Sequence, residues 1–479
     1  MQHEPSGATD AEIASHTSTA RARLELFVVG LGALVVSLAQ SLLIPVLGEL
    51  PGDLHTSAST VSWLLTSTLL VGAVSVPIMG RLGDMFGKRL LLLVAVGSLV
   101  AGSLLTAVTS NVALLIAGRA IQGVSAAAIP LGISLLAGLL PRERVGSAVA
   151  LISAMLGVGG ALGLPLAGFV AEHADFHALF WITAGVGVVA FVGILTIVPE
   201  SPNRSGGHVD VVGAVLLGAG LVALLLPLSE SSSWGWGSAK VWGLLATSAV
   251  LLVAFGWSQT RIREPLVDLK AVRRKPIVLA NLASILFGFA LFASFIGTAA
   301  YVEAPEQTGY GFASSLLVGG LVMLPSGLMM LVFAPVAARL ISRRGAPQTL
   351  AIGAAIVALG FLSRITVHDH LWQIIVGSTI IGVGTGIGYA ALPSIINANT
   401  PVHELAAANG LNSLFRSLGS SLASAIGGSL LAGKVIMLGD FALPSLGAYQ
   451  ELFALCGVAA VLAAVVALGI PHQRVPLVE

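Results

Sequence analysis

The sequence predicts a polytopic α-helical membrane protein, and three observations carry that prediction. Of 479 residues, 56% are apolar and only 9% are charged, whereas a soluble globular chain carries about 25% charged residues. The apolar residues gather in runs of roughly 20 without Asp, Glu, Lys or Arg, the length that crosses a hydrocarbon core as a helix. These runs are continuous and rich in Leu, Ala and Gly rather than alternating, which argues against spanning strands.

The polar opening stretch lacks the apolar middle of a signal peptide and reads as a disordered cytoplasmic tail, 1–23. Spans follow at 24–46, 60–80, 90–110, 112–138, 145–170 and 178–198, then at 209–229 and 241–260. Six more are expected at 276–302, 312–338, 346–366, 371–396, 404–433 and 449–470, for a total of fourteen. With both termini inside, 18 of the 23 Lys and Arg fall in cytoplasmic segments, three (Lys240, Arg364 and Lys434) fall outside, and Arg119 and Arg416 lie within spans. That bias satisfies the positive-inside rule. The outer loops collect acids instead, Glu230 among them, and Trp234 and Trp236 sit where belt aromatics belong.

An internal repeat organises the spans. In "VPIMGRLGDMFGKR" (76–89) and "APVAARLISRRGAP" (334–347), Pro77 aligns with Pro335, Arg81 with Arg339, Leu82 with Leu340 and Gly87 with Gly345. Repeated halves with a path between them are the usual build of secondary transporters. The loops match if 24–198 and 276–470 are six-helix bundles. Between them lie two inserted helices, 209–260, and a basic cytoplasmic linker, 261–275; residues 471–479 form a cytoplasmic tail. The second copy has Ser342 where the first has Asp84.

These stretches resemble the major facilitator superfamily, specifically its fourteen-helix drug:proton antiporter branch. "GRLGDMFGKR" (80–89) is similar to the signature between the second and third helices, with Met85 where a basic residue is common. "LIAGRAIQGVSAA" (115–127) resembles the fourth-helix signature, and "GGALGLPLAG" (159–168) the fifth-helix signature of exporters. In the last, Leu164 separates Gly163 from Pro165, and Ala167 stands where a paired glycine is usual. The resemblance implies alternating access, with a cytoplasmic gate built from Gly80, Asp84, Gly87, Lys88 and Arg89, and a hinge or packing seam at Gly159, Gly163, Pro165 and Gly168.

Within that frame the cavity candidates are Gln40, Arg119, Gln122, Asn281, Asn397, Asn412 and Arg416. An intramembrane charge such as Arg119 is costly unless it is paired or faces water. Many antiporters of this branch carry an acid in the first helix ahead of a Pro. Here "SLAQSLLIP" has Ala39 and Gln40 instead, which disfavours lipophilic dications and favours neutral, zwitterionic or weakly anionic amphipathic compounds. Proton coupling would then fall to Glu303, Glu172 or Asp84, with Arg119 as a modulator.

The expected function is a secondary active exporter of drugs or secondary metabolites, a multi-pass protein of the bacterial cytoplasmic membrane, driven by protons. A facilitator or importer on the same fold and a non-transporting receptor or scaffold are the alternatives. No phosphate loop or enzyme constellation is present, so no cofactor, nucleotide or nucleic acid partner is expected. A lone Cys456 provides no disulfide, and the pairs His173/His177 and His368/His370 read as solvated loop residues rather than metal ligands.

Overall fold

The computed structural model describes residues 10–201, 204, 208–262, 265–439 and 441–471. Its first half holds α1 (Asp10–Ser41), α2 (Ala58–Phe86), α3 (Lys88–Ala107), α4 (Val112–Leu139), α5 (Arg142–His173) and α6 (His177–Ile197). The inserted pair is α7 (Val211–Ser229) and α8 (Ala239–Gln259). The second half holds α9 (Lys275–Glu303), α10 (Leu316–Val332 with Ala334–Arg344), α11 (Ala346–Thr366), α12 (Leu371–Ala398), α13 (Leu405–Gly433) and α14 (Leu446–Leu468).

Small polar residues start many of these helices, since a side-chain oxygen can satisfy an N–H that has no partner in the first turn. Ser57 accepts from Thr60 N, Asn111 from Ala113 N and Leu114 N, Asp210 from Gly213 N, and Ser315 from Val318 N. The two segments of α10 meet at a 43° bend where Pro335 opens the second segment. Between α13 and α14 a two-stranded hairpin, β1 (Val435–Leu438) with β2 (Phe441–Pro444), decorates the otherwise helical chain.

Three expectations change. First, α1 reaches back to Asp10, into the stretch expected to be a disordered tail, because residues 8–29 contain neither Gly nor Pro to stop a helix. The C-terminal tail, apart from Pro471, lies outside the described residues. Second, among the described residues twelve helices are long and apolar enough to cross a membrane, or thirteen with α10 counted as one span, against the expected fourteen. The helix that falls short is α13, which carries Asn409, Asn412, Ser413, Arg416, Ser417, Ser420 and Ser421. It nonetheless packs along α9 of its own half and α2 of the other. Third, Arg364 is not in an outer loop. It is buried in the last turn of α11, its guanidinium 4.7 Å from the Phe453 ring centroid and 5.6 Å from that of Tyr301.

Each half has its own apolar core, and the two meet along α5 with α10 and along α2 with α13. A further cluster joins the inserted pair to both halves: Leu217, Leu221 and Phe255 pack with Leu70 of α2 and with Leu411 and Leu414 of α13. Gly87 (φ +129°) ends α2 and Gly345 (φ +84°) ends α10, each passing straight into the next helix. The positive φ explains why both copies of the repeat keep a glycine there.

The inserted pair is also pinned by Glu230, read from sequence as an outer-loop acid but only 3% exposed. Its carboxylate accepts from Thr66 Oγ1 (3.2 Å) and Ser62 Oγ (3.5 Å) on α2 and from Ser233 Oγ (3.0 Å). An unsatisfied buried polar group costs about 1–3 kcal/mol. Glu230→Leu is therefore expected to lower the melting temperature of the purified protein, and Glu230→Gln, which keeps an acceptor, to lower it less. Equal melting of all three proteins would remove Glu230 as an anchor.

Candidate functional site

At one end of the molecule a buried carboxylate helps tie the two halves together. Asp84, fully buried in the last turn of α2, accepts from Ala406 N (3.2 Å) and Ala407 N (2.8 Å), the first turn of α13. An anion at a helix N-terminus is stabilised both by the free N–H groups and by the helix dipole. Lys88, also fully buried, places Nζ 3.3 Å from Asp84 Oδ1 and donates to Val402 O at 2.8 Å, so it too spans the halves.

The neighbouring glycines set the spacing. A Cβ on Gly80 would lie 2.6 Å from Ala406 O, and one on Gly410 would lie 2.9 Å from Val76 O. No side chain fits at the first of these without moving α13 away from Asp84. Gly87 faces Glu200, whose carboxylate accepts from Arg89 N (2.9 Å) and Leu90 N (3.2 Å) and so caps α3. The Arg89 guanidinium donates to Leu195 O on α6. Of the five gate candidates, Gly80, Asp84 and Lys88 meet the other half, whereas Gly87 and Arg89 secure the turn within their own. Ser342, the counterpart of Asp84, is exposed and bonds back to Arg339 O on its own helix.

Toward the middle of the first half, Arg119 is 2% exposed and joins three helices. Nε donates to Leu64 O (3.0 Å) on α2, and Nη1 donates to Ala39 O (3.1 Å) on α1 and to Gln122 Oε1 (2.7 Å) on its own α4. Gln122 in turn donates to Ser103 Oγ of α3 at 2.8 Å. Gln40, Arg119 and Gln122 line a cavity of about 40 Å³ together with Thr68 and, from the second half, Ser417. That volume is little more than one water's share of the liquid, ~30 Å³, so a drug-sized molecule enters only if the halves move.

In the second half, Asn412 donates to Asn281 Oδ1 (2.9 Å) and Ser284 Oγ (2.8 Å), a buried pairing of α13 with α9. Arg416 has its guanidinium 5.5 Å from the Tyr389 ring centroid and hydrogen-bonds Ser413. Asn397 lies apart from these residues. It accepts from Asn409 (2.7 Å), which also reaches Ser134 Oγ of the first half (3.4 Å), close to Asp84.

The seam residues lie between helices. A Cβ on Gly159 would be 2.4 Å from Leu34 O of α1, and one on Gly163 would be 2.0 Å from Ser41 Oγ. On the opposite side, Gly168 abuts Leu317, and Gly320 of α10 abuts Pro165. Small residues thus let α5 approach α1 and α10 at backbone distance. At the far end from Asp84, Glu172 is exposed, whereas Glu303 is half-buried beside Gly319 and has no hydrogen bond or ion pair among the described residues. His173 stacks on Phe169. His177 pairs with Asp175; slight burial opposes ionisation there, but the His177 contacts prevail and hold the Asp175 carboxyl below its usual range.

The sequence reading did not single out Glu200 and took Glu230 only as an outer-loop acid. The first is marked by a lone acid ending a span in "IVPE", the second by "SESSS" closing an apolar run.

A family model described as Major Facilitator Superfamily matches residues 29–424 and 320–477. The chain belongs to that superfamily. It is a multi-pass membrane transporter rather than an enzyme. Over 419 residues it is 29% identical to the tetracenomycin C resistance and export protein of Streptomyces glaucescens, covering 86% of this chain and 76% of that one. Over 412 residues it is 26% identical to the multidrug resistance protein Stp of Mycobacterium tuberculosis, covering 85% and 74%. The crystal structure of the human organic anion transporter MFSD10 (TETRAN) superposes with a TM-score of 0.65 at 17% identity, over 93% of this chain and 99% of that one. At that identity the likeness concerns the fold.

Proposed function

We propose that this chain is a proton-driven exporter of small amphipathic compounds that works by alternating access. The observation that carries the reading is the Asp84 bond from the first half to the helix N-terminus of the second, a contact that opposes opening at that end. Relatives named for antibiotic resistance and export support efflux as the direction. We assign fourteen spans and two cytoplasmic termini, with α13 as a span whose polar groups are met inside the protein. The Asp84 end is then the cytoplasmic gate in its closed state. Pro165 and Gly168, which meet Gly320 and Leu317 of α10, mark the surface on which the halves pivot, while Gly159 and Gly163 hold α5 against α1 within the first half.

The substrate cavity opens around Gln40, Arg119, Gln122 and Ser417, with Asn281, Asn412 and Arg416 on its second-half wall. Arginines without a lining carboxylate favour neutral, zwitterionic or weakly anionic compounds over dications. Among the acids, Glu303 is the leading proton carrier, because it is half-buried and unpaired, ahead of exposed Glu172 and gate-bound Asp84.

Proteoliposomes loaded with a pH dye provide the test. Adding a transported compound is expected to release protons from vesicles acidified inside, and a protonophore is expected to abolish uphill transport. Glu303→Gln is expected to lose proton release while keeping substrate exchange at equal pH. Substrate accumulation indifferent to the protonophore would overturn the antiport assignment.

A further inference from the structure

The described part of the segment that leads from α8 to α9, residues 260–262 and 265–274, is a folded wall rather than a free linker. Gln259 closes its base, donating to Asp210 Oδ2 (2.7 Å) and accepting from Val267 N (3.1 Å). Leu266, Val267 and Ala271 are buried, and Asp268 caps the short helix Leu269–Val272 by accepting from Lys270 N at 2.8 Å. At the far end the Arg274 guanidinium donates to Asn399 O at 2.8 Å.

This wall, Pro77 and Arg81 of α2, and the start of α13 enclose a cavity of about 590 Å³. Its size falls in the range of small-ligand sites, ~300–1,000 Å³. One side of the lining is apolar, with Leu266, Val267, Ile277 and Leu411. The rim is basic, with exposed Lys270 and Arg273, and Arg261, Arg274 and Lys275 are exposed beside it. Among the described residues, the two acids of the lining have local partners, Asp268 as the cap above and Glu404 at 3.7 Å from His403. Thr400 Oγ1, buried in the lining, has no hydrogen-bond partner among the described residues. Trp257, 64% exposed one turn before the wall with Arg261 5.3 Å from its ring, marks headgroup depth.

We infer that this cavity is a binding site for the headgroup of an anionic phospholipid, with its phosphate on Lys270 and Arg273, the glycerol near Thr400 and an acyl chain along the apolar side. An apolar wall beside clustered cations at the membrane surface suits an amphiphilic phosphate better than a free ion. Neither the transport direction nor its energy source enters this assignment.

The test titrates the purified full-length chain with phosphatidylglycerol or phosphatidylcholine of matched acyl chains and counts retained lipid by native mass spectrometry. Wild type is expected to retain phosphatidylglycerol at least about fivefold more than phosphatidylcholine. The double variant Lys270→Gln, Arg273→Gln is expected to lose that preference with an unchanged melting temperature, and Lys270→Arg is expected to keep it. Equal retention of both lipids by wild type, or an unaltered preference in the double variant, would overturn the site. Displacement of phosphatidylglycerol by equimolar inorganic phosphate would overturn the lipid assignment in favour of a free anion.

Discussion

Asp84→Asn is expected to leave a folded protein that no longer transports. The carboxylate has three partners, Ala406 N, Ala407 N and Lys88 Nζ, and all of them need an acceptor. An amide supplies one oxygen and sets its NH₂ against a backbone N–H or the Lys88 ammonium. Lys88, fully buried, is left with Val402 O as its other hydrogen-bond partner. Breaking a buried ion pair from one side costs about 3–5 kcal/mol. Even about 3 kcal/mol taken from the closed gate alone shifts its ratio to the open gate by roughly a hundredfold.

Apart from Ala406, which packs into the first-half core, the apolar cores lie away from this contact, so the variant is expected to reach the membrane in normal amount and to export less than roughly a tenth of the wild-type flux. A cysteine placed at Ser134, buried near the gate beside Asn409, reads the gate directly. The native Cys456 is fully buried and leaves the background low. Thiol labelling at position 134 is expected to rise in the Asp84→Asn background. Wild-type flux with unchanged labelling would remove Asp84 from the gate.

The span pattern was legible because it rests on local rules: apolar length, small polar caps such as Ser57 and Asn111, and a glycine at each sharp reversal. The expected boundaries at 346–366 and 371–396 meet helices Ala346–Thr366 and Leu371–Ala398 almost residue for residue. Where composition and packing part company, the pattern failed. Helix α13 falls below the apolarity of a span because its polar side chains are matched inside the protein, as Asn412 is by Asn281 and Ser284.

The Asp84 contact was half legible. A short signature marked Asp84 and Lys88, but the Asp84 partners in the other half are backbone N–H groups 322 and 323 positions away, and backbone groups leave no trace in side-chain text. The same applies to Arg119, visible as a charge in an apolar run, whose acceptors at Ala39 and Leu64 are carbonyls any residue supplies. Glu230 was misplaced for a related reason. A lone acid at the end of an apolar run reads as solvated until the hydroxyls of α2 are brought against it.

Arg119 should divide stability from transport according to what replaces it. The guanidinium is a planar fork whose nitrogens reach α1, α2 and Gln122 together, a geometry that a single ammonium cannot reproduce. Hydrogen bonds from a charged donor contribute about 1.5–3 kcal/mol each, and the acceptors freed by its loss are buried. Arg119→Ala is therefore expected to lower the melting temperature sharply and to abolish export. Arg119→Lys keeps the charge and one or two of the bonds, so it is expected to fold with a smaller loss and to retain a measurable fraction of the flux. Arg119→Gln provides the decisive comparison, because an amide can still donate to Ala39 O or Leu64 O but carries no charge. If the charge itself handles substrate or protons, Arg119→Gln melts close to Arg119→Lys yet exports far less. If Arg119 is only a tie between helices, the two variants export in proportion to their stability. Measuring both quantities on the same preparations decides between the two roles, and equal flux at equal stability would take Arg119 out of the transport cycle and leave it as a packing residue.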